Sequence, residues 1–173
     1  MPAPRAAHPE TLIALPIDTS EGRFIARYST RGLARLDFPG AGRAEPVPAS
    51  ARASIRLRGW HRLTTAALGR ALAGRAAGRL PPLDWSAATP FQRRVWRALL
   101  RLGPGQTWSY GEMARRVGSP KGARAVGGAC RANPIPVLVP CHRVLAARGR
   151  LGGFSGSLAW KRRLLAREGV PVQ

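Results

Sequence analysis

Two helix-start signals in the second half of the chain constrain its fold more than any other feature. Residues 89–92 (TPFQ) supply a Thr N-cap, a Pro in the first turn and a Gln that can reach back to the cap, and Gly-Pro-Gly at 103–105 stops the helix. Residues 109–112 (SYGE) repeat the capping-box pattern in front of a second, shorter helix. Gly-Ser-Pro at 118–120 ends that helix and can begin a third, which runs to Asn133-Pro134. This order of signals predicts a helix-turn-helix.

The N-terminal third carries strand signals instead. Three short apolar runs, TLIALPI, RFIARYS and LARLDFP, are separated by residues typical of turns at 18–22 and 30–32. This pattern predicts a small antiparallel meander.

A loop at 40–50, a helix-permissive stretch at 60–77 and a linker at 80–88 follow the strands. We therefore expect an α/β (α+β) protein with two domains. A β-rich domain is predicted at 1–85 and a helical domain at 86–173.

The third helix of the second half consists mostly of residues with small side chains. Its small residues are Ala123, Ala125, Gly127, Gly128 and Ala129. Two glycines in a helix interior cost about 1 kcal/mol each relative to alanine, so they need a reason. Either the helix packs tightly against a neighbouring helix, or it approaches a sugar–phosphate backbone in a minor groove. Arg124 and Arg131 on the same helix favour the second explanation.

The chain is strongly basic, with 29 Lys and Arg against 8 Asp and Glu. Residues 86–173 hold 16 of the basic groups and only 2 of the acidic ones, Glu112 and Glu168. Such a surface attracts polyanions, and nucleic acid is the leading candidate. A membrane partner is not expected, because no long apolar stretch and no basic amphipathic helix with an aromatic face is present.

The cysteine and histidine usage argues against a disulfide framework and against a metal site. The two cysteines, Cys130 and Cys141, and the absence of a secretory signal indicate a reduced, cytoplasmic protein. The three histidines have no paired spacing with the cysteines, so we expect no zinc.

Cys141 is set directly before His142 and Arg143, after an apolar run at 135–139 that is predicted to be a short buried strand. A buried thiol without assistance is inert, whereas one beside basic groups can react. Neighbouring side chains on an extended chain point to opposite faces, so His142 would need a local turn or a bridging water to reach the thiol.

Glu168 lies near the end of a final helix predicted at 157–169, where its spacing from Leu164 and Leu165 turns it toward the buried face. A carboxylate there needs a partner. It could orient His142, form a salt bridge with one of the arginines, or be exposed at the helix end.

Five segments in order, SYGEMA, KGARAVGGACRANP, PCHRV, GGFSG and KRRLLAREG, closely resemble the O6-alkylguanine-DNA alkyltransferases, or methylated-DNA–protein-cysteine methyltransferases. The resemblance is dense over residues 86–170 and rests only on pattern before them. It implies a ribonuclease H-like N-terminal domain and a winged-helix-like C-terminal domain. It also implies a monomer that moves the alkyl group of O6-alkylguanine in double-stranded DNA onto its own cysteine, once, irreversibly and without a cofactor. Activity on O4-methylthymine is left open.

The resemblance assigns roles to the reacting groups. Cys141 is the alkyl acceptor, His142 acts as a base through a water, and Glu168 orients the imidazole. Asn133 braces the turn before the cysteine. Tyr110 donates a proton to the departing guanine.

The resemblance also assigns contacts to the substrate and to DNA. The backbone carbonyls of Cys141 and Val144 read the exocyclic amine of an extruded guanine. Ser155 contacts O6 from a loop that also contains Phe154 and Gly156. Arg124 fills the gap left by the extruded base. The remaining minor-groove contacts fall on Ala123, Ala125, Gly127, Gly128 and Arg131.

Three other functions are consistent with parts of the sequence. A non-catalytic lesion-binding protein would share the fold, but Cys141 argues against it. A helix-turn-helix regulator would bind DNA without preference for a lesion. A Cys/His hydrolase lacks a recognisable oxyanion hole.

Overall fold

A computed structural model describes residues 12–41, 54–154 and 156–171. The N-terminal part forms a three-stranded antiparallel sheet in the order β1 (Ile13–Thr19), β2 (Gly22–Tyr28) and β3 (Leu33–Asp37). Gly22 has φ +107° in the tight turn between β1 and β2, a conformation that favours glycine. The predicted meander is therefore confirmed. Most of the loop predicted at 40–50 lies outside the described residues.

Helix α1 (Ile55–Leu72) packs on the sheet and begins five residues before the stretch predicted from sequence. Ser54 caps it by accepting a hydrogen bond from the backbone N–H of Leu57. The buried Tyr28 of β2 donates a hydrogen bond of 2.9 Å to the Thr64 hydroxyl of the helix. The apolar face of α1 and this bond join the helix to the sheet.

The predicted linker is attached to the edge of the sheet. Leu83 pairs with Leu33 of β3 in a parallel bridge, through backbone hydrogen bonds of 2.8 Å on either side. A Cβ atom on Gly32 would lie 2.1 Å from the carbonyl oxygen of Pro82, so this approach requires glycine. One hydrophobic core runs through both halves of the chain, and includes Phe24 and Leu68 on one side and Val95 and Met113 on the other. The division into two domains at residue 86 remains a prediction.

Both capping boxes are present in the second half. Helix α2 (Pro90–Leu99) is capped by Thr89, and helix α3 (Tyr110–Arg116) by Ser109 directly after the short strand β4 (Trp108–Ser109). Helix α2 ends before the predicted Gly-Pro-Gly stop. Helix α4 (Ala123–Arg131) begins later than predicted from the Ser-Pro signal, and packs against both α2 and α3.

The prediction of a strand at 135–139 is wrong. The segment is a series of turns with Val137 at φ 72°, and the backbone N–H of Val139 bonds back to the Ile135 carbonyl oxygen at 2.9 Å. A 3-10 helix (Cys141–Arg143), strand β5 (Val144–Leu145) parallel to β4, a second 3-10 helix (Ala147–Gly149) and helix α5 (Leu158–Arg167) complete the chain. The final helix is close to its predicted bounds, and Ser157 is its N-cap.

Candidate active site

Cys141 is buried at the start of a 3-10 helix, with Asn133 against its sulfur. Asn133 Nδ2 lies 3.1 Å from Cys141 Sγ and 2.8 Å from the Val139 carbonyl oxygen, while Asn133 Oδ1 accepts the backbone N–H of Ile135 at 3.1 Å. These three contacts fold the turn that carries the cysteine. They also explain why the apolar run before it cannot extend into a strand. An N–H directed at sulfur stabilises negative charge on it.

His142 and Glu168 lie together in the interior. His142 Nε2 is 3.0 Å from Glu168 Oε1, and both side chains are at most 2% exposed. Burial lowers the pKa of His142, and the hydrogen bond with Glu168 opposes that shift. An ionised carboxylate only accepts hydrogen bonds, so Nε2 carries the proton and Nδ1 keeps its lone pair. Among the described residues, His142 Nδ1 has no hydrogen-bond partner.

Glu168 also binds Arg143. Two of the three alternatives considered for Glu168, orientation of His142 and a salt bridge with an arginine, therefore occur together. Arg143 Nη2 lies 2.8 Å from Oε1, and Arg143 Nε lies 2.9 Å from Oε2. Burial alone would raise the pKa of Glu168, but the hydrogen bonds with His142 and Arg143 outweigh it and lower the pKa to about 2. The guanidinium also donates to the Leu102 carbonyl oxygen. The exposed position considered for Glu168 is therefore wrong.

Lys161 belongs to the same site, and sequence analysis gave it no role. Its side chain is completely buried, and Nζ donates to the carbonyl oxygens of Val144 at 2.6 Å and Gly153 at 3.4 Å. Burial lowers the pKa of Lys161 to about 8. Two signals could have revealed it. It is one of only two lysines in an arginine-rich chain, and it shares a helix face with Leu164 and Leu165.

Tyr110 and the loop after β5 close one side of the site. The Tyr110 hydroxyl donates to the Gly153 carbonyl oxygen at 3.3 Å, and burial raises the pKa of Tyr110 to about 12. Gly152, at φ +62°, approaches so closely that a Cβ atom would lie 3.0 Å from Tyr110 Cε2. The Phe154 ring packs edge-on against His142, with ring centroids 6.5 Å apart.

A cavity of about 500 Å³ opens beside Tyr110 and brings together many of the residues predicted for DNA and substrate. It is lined by Tyr110, Ala123, Arg124, Gly127, Gly128, Arg131, Gly153 and Phe154. Four predicted residues are elsewhere. Cys141 and Val144 are at most 2% exposed and do not line the cavity, Ala125 is exposed on α4, and a Cβ atom on Gly156 would lie 2.7 Å from the Phe38 ring. Ser155 lies outside the described residues.

The glycines of α4 are not both explained by helix packing. A Cβ atom on Gly127 would be 3.8 Å from the Tyr110 ring, which is ordinary contact. At Gly128 the space within 4 Å is open, and the residue is exposed. Tight packing against a neighbouring helix therefore does not account for Gly128.

In the three described ranges, no group of three or more His, Cys, Asp and Glu side chains is placed to hold a metal ion. None of the helices in these ranges has the length and apolar character needed to cross a membrane. Cys130 and Cys141 are both thiols rather than a disulfide.

The fold and site define a class of α+β protein. In this class a buried cysteine and a His–Glu pair lie close to a helix-turn-helix whose second helix consists mostly of small residues. A family model described as "6-O-methylguanine DNA methyltransferase, DNA binding domain" matches residues 90–170. The methylated-DNA–protein-cysteine methyltransferase of Mycolicibacterium paratuberculosis is 50% identical over 95 residues, which cover 53% of this chain and 58% of that protein. The protein of the same name from Salmonella typhimurium is 46% identical over 102 residues, 57% of this chain and 60% of the relative. These alignments thus span less than two thirds of each curated relative.

A solved structure extends the similarity to most of the chain. The crystal structure of Mycobacterium tuberculosis OGT in complex with DNA superposes with a TM-score of 0.73 and 36% identity, over 88% of this chain and 90% of that one. The chain belongs to the methylated-DNA–protein-cysteine methyltransferase family. The family resemblance and the α+β fold predicted from the sequence are both confirmed.

Proposed function

We propose that the protein repairs DNA directly, by moving the alkyl group of O6-alkylguanine onto Sγ of Cys141. The observation that carries this proposal is the set of hydrogen bonds around the thiol and the adjacent histidine. Asn133 holds the sulfur at 3.1 Å, and the adjacent His142 is held by Glu168 at 3.0 Å. A relative of 36% identity that was crystallised with DNA supports DNA as the partner.

In the proposed reaction, His142 Nδ1 takes the thiol proton through one water, and Glu168 stabilises the resulting imidazolium. The sulfur attacks the alkyl carbon, so an S–C bond forms and the C–O6 bond breaks. Tyr110 gives a proton to the departing guanine ring and regains one from solvent. With a pKa of about 12, Tyr110 is protonated at neutral pH and can donate. The thioether has no ready route of hydrolysis, so each molecule reacts once and no cofactor is needed.

The substrate enters as an extruded base, because O6 cannot be reached inside the base stack. The cavity beside Tyr110 and α4 is the proposed entrance. Because Cys141 is only 2% exposed, residues 152–154, which lie against Tyr110 and His142, must move for the base to reach the sulfur. The Cys141 and Val144 carbonyls then read the exocyclic amine. Val144 already accepts from Lys161 and uses its second lone pair.

The proposed DNA surface is helix α4, lying in the minor groove with Arg124 in the gap left by the base. The exposed Gly128, with open space around it, fits a close approach of a phosphate backbone. We also propose that residues 1–85 form a structural domain, that Ser155, Phe154 and Gly156 close over the bound base, and that the protein acts as a monomer in the cytoplasm.

The test uses a duplex labelled in the O6-methyl group, with Cys141→Ala and the matched variant Cys130→Ala. Burial raises the pKa of the Cys130 thiol to about 12, so this thiol stays protonated and unreactive. Label should move to the wild type and to Cys130→Ala at no more than one equivalent, and peptide mapping should locate it on Cys141. Transfer that survives in Cys141→Ala would contradict the assignment of the nucleophile.

Competition between a lesion-bearing and an undamaged duplex of the same sequence separates the alternatives. Preferential binding of the lesion without transfer would identify a lesion-binding protein. Equal binding of both duplexes without transfer would identify a DNA-binding regulator.

A further inference from the structure

The turn between β1 and β2 reaches across the molecule to helix α5. Glu21 in this turn uses both carboxylate oxygens: Oε2 accepts from Arg163 Nη1 at 2.6 Å, and Oε1 accepts from Arg167 Nη2. The Glu21 side chain is 12% exposed, so the carboxylate is largely enclosed by its partners. These two ion pairs join residues that are more than 140 positions apart in the chain.

Arg167 is held by two further contacts from the N-terminal half. Its Nη1 donates to the carbonyl oxygen of Leu72, the last residue of α1, at 2.7 Å. Its backbone lies against Gly74, where φ is +71° and a Cβ atom would be 2.1 Å from the Arg167 carbonyl oxygen. The β1–β2 turn, the end of α1 and Gly74 therefore all meet one residue of α5.

That residue immediately precedes Glu168, the C-cap of α5. Glu168 is also the carboxylate that holds His142 at 3.0 Å and Arg143 at 2.8 Å. A shift of the last turn of α5 would therefore change the distance between Glu168 and the imidazole. A hydrogen bond of this length tolerates a shift of only a few tenths of an ångström before it weakens.

We propose that Glu21 is a positioning residue for the reaction, which fixes the last turn of α5 and thereby orients Glu168 toward His142. This gives the N-terminal half a part in catalysis through Glu21, which contacts Arg163 and Arg167 rather than the reacting atoms. The inference rests on the proposed alkyl transfer.

The test compares Glu21→Gln with Asp18→Asn in the full-length protein. Asp18 lies at the same hairpin and pairs with Arg23 at 2.6 Å, within the hairpin rather than with α5. Each variant removes one negative charge, so both change long-range attraction to DNA equally. Single-turnover transfer is measured over a range of DNA concentrations, which gives the rate constant at saturation, the half-saturating concentration and the number of alkyl groups accepted per protein.

In Glu21→Gln, the rate constant at saturation should fall by about 3- to 10-fold, the size expected when a coupled positioning contact is lost. The half-saturating concentration and the stoichiometry should stay at their wild-type values, and Asp18→Asn should match the wild type in all three. Arg167→Gln also loses the bond to Leu72, so it should slow transfer at least as much as Glu21→Gln. The double variant should be about as slow as Arg167→Gln, because Glu21 acts on the last turn of α5 through Arg167.

An unchanged rate constant in Glu21→Gln, an equal loss in Asp18→Asn, or a loss confined to stoichiometry would overturn the inference. A wild type that accepts no label would instead contradict the proposed function, so the two failures are distinguishable.

Discussion

Lys161 Nζ donates a hydrogen bond of 2.6 Å to the carbonyl oxygen of Val144, from an ammonium group that is completely buried. The same nitrogen reaches the Gly153 carbonyl oxygen, which also accepts from Tyr110. Lys161 thus connects the strand proposed to read the guanine, the loop at Gly153 beside the proposed entrance, and the proposed proton donor Tyr110. This connection explains why a lysine occupies the interior at the cost of desolvating its charge.

Replacing Lys161 by methionine should slow alkyl transfer strongly with little effect on stability. The loop at Gly153 and the Val144 carbonyl lose their common donor, and misplacement of a catalytic group by about 1 Å can cost on the order of 100-fold in rate. The free energy of unfolding should change by less than about 1.5 kcal/mol, because losing the hydrogen bond offsets relief of the buried charge. Single-turnover kinetics and urea unfolding measure the two quantities.

The matched control is Arg162→Met, on the exposed face of the same helix. It removes one positive charge but no contact with the site. A Lys161→Met protein that transfers at the wild-type rate, or an Arg162→Met protein that is slowed equally, would show that the Lys161 contacts do not matter for transfer.

Acid should destabilise the protein partly through Glu168. Its pKa in the folded state is about 2, against an ordinary value of 4.5, so the folded state favours the ionised form. This stabilisation is fully present above about pH 4.5 and is lost as the pH falls toward 2. Its size is up to about 3 kcal/mol, from the conversion of a pKa difference into free energy.

Urea unfolding of the wild type and Glu168→Gln at several pH values isolates this contribution, since the remaining carboxyl groups are common to both proteins. At pH 7 the variant should be less stable by about 3 kcal/mol, because Arg143 loses its buried counter-charge. The difference should shrink as the pH falls below 4.5. A difference that is constant from pH 7 to pH 2.5 would contradict the assigned pKa.

Asn133→Ala should destabilise the protein and slow transfer together. The change removes the N–H group that contacts Cys141 Sγ and leaves the backbone N–H of Ile135 without the Asn133 oxygen. The Val139 carbonyl oxygen also loses Asn133 but still accepts from the backbone N–H of Cys141 at 2.8 Å. A buried donor left unpaired costs about 1 to 3 kcal/mol. Thermal unfolding measures the stability, and the transfer rate below the unfolding range reports the site. A variant that unfolds earlier yet transfers at the wild-type rate would limit Asn133 to a structural role.

Features set by local chemistry could be predicted from the sequence. The caps at Thr89, Ser109 and Ser157 act within one turn of helix, and their helices begin where predicted. The inward direction of Glu168 also followed from helical spacing alone. The hairpins could be predicted for the same reason, because turn residues and alternating burial are properties of neighbouring residues.

Features set by distant partners could not be predicted. The run at 135–139 is apolar enough for a strand, but Asn133 bonds its backbone at both ends and turns it back. The linker pairs with β3 at Leu33, and no pattern of neighbouring residues predicts this contact. The helical spacing of Lys161 from Leu164 and Leu165 indicates an inward position, but its partner, the Val144 carbonyl oxygen, lies on a separate strand and could not be predicted.

Replacing Gly128 by leucine should stabilise the protein and yet weaken DNA binding. The position is helical and open, so a larger side chain meets no atom within 4 Å of its Cβ. A better helix former than glycine gains up to about 1 kcal/mol in a helix interior. If α4 lies against a sugar–phosphate backbone, the same side chain fills the space that the DNA needs. Thermal unfolding and titration of a fluorescent duplex at fixed salt concentration measure the two effects.

The control for Gly128→Leu is Gly69→Leu in α1, where the space within 4 Å of the Cβ position is also open and the residue is exposed. Both variants should unfold at a higher temperature than the wild type, since both gain helix propensity. Only Gly128→Leu should lose affinity for the duplex. The leucine side chain would displace the phosphates from α4, and loss of a contact worth about 1.4 kcal/mol or more lowers the affinity by at least about tenfold. Affinity that survives in Gly128→Leu would mean that DNA does not approach this face of α4, and the minor-groove assignment of the helix would have to be abandoned even if alkyl transfer takes place.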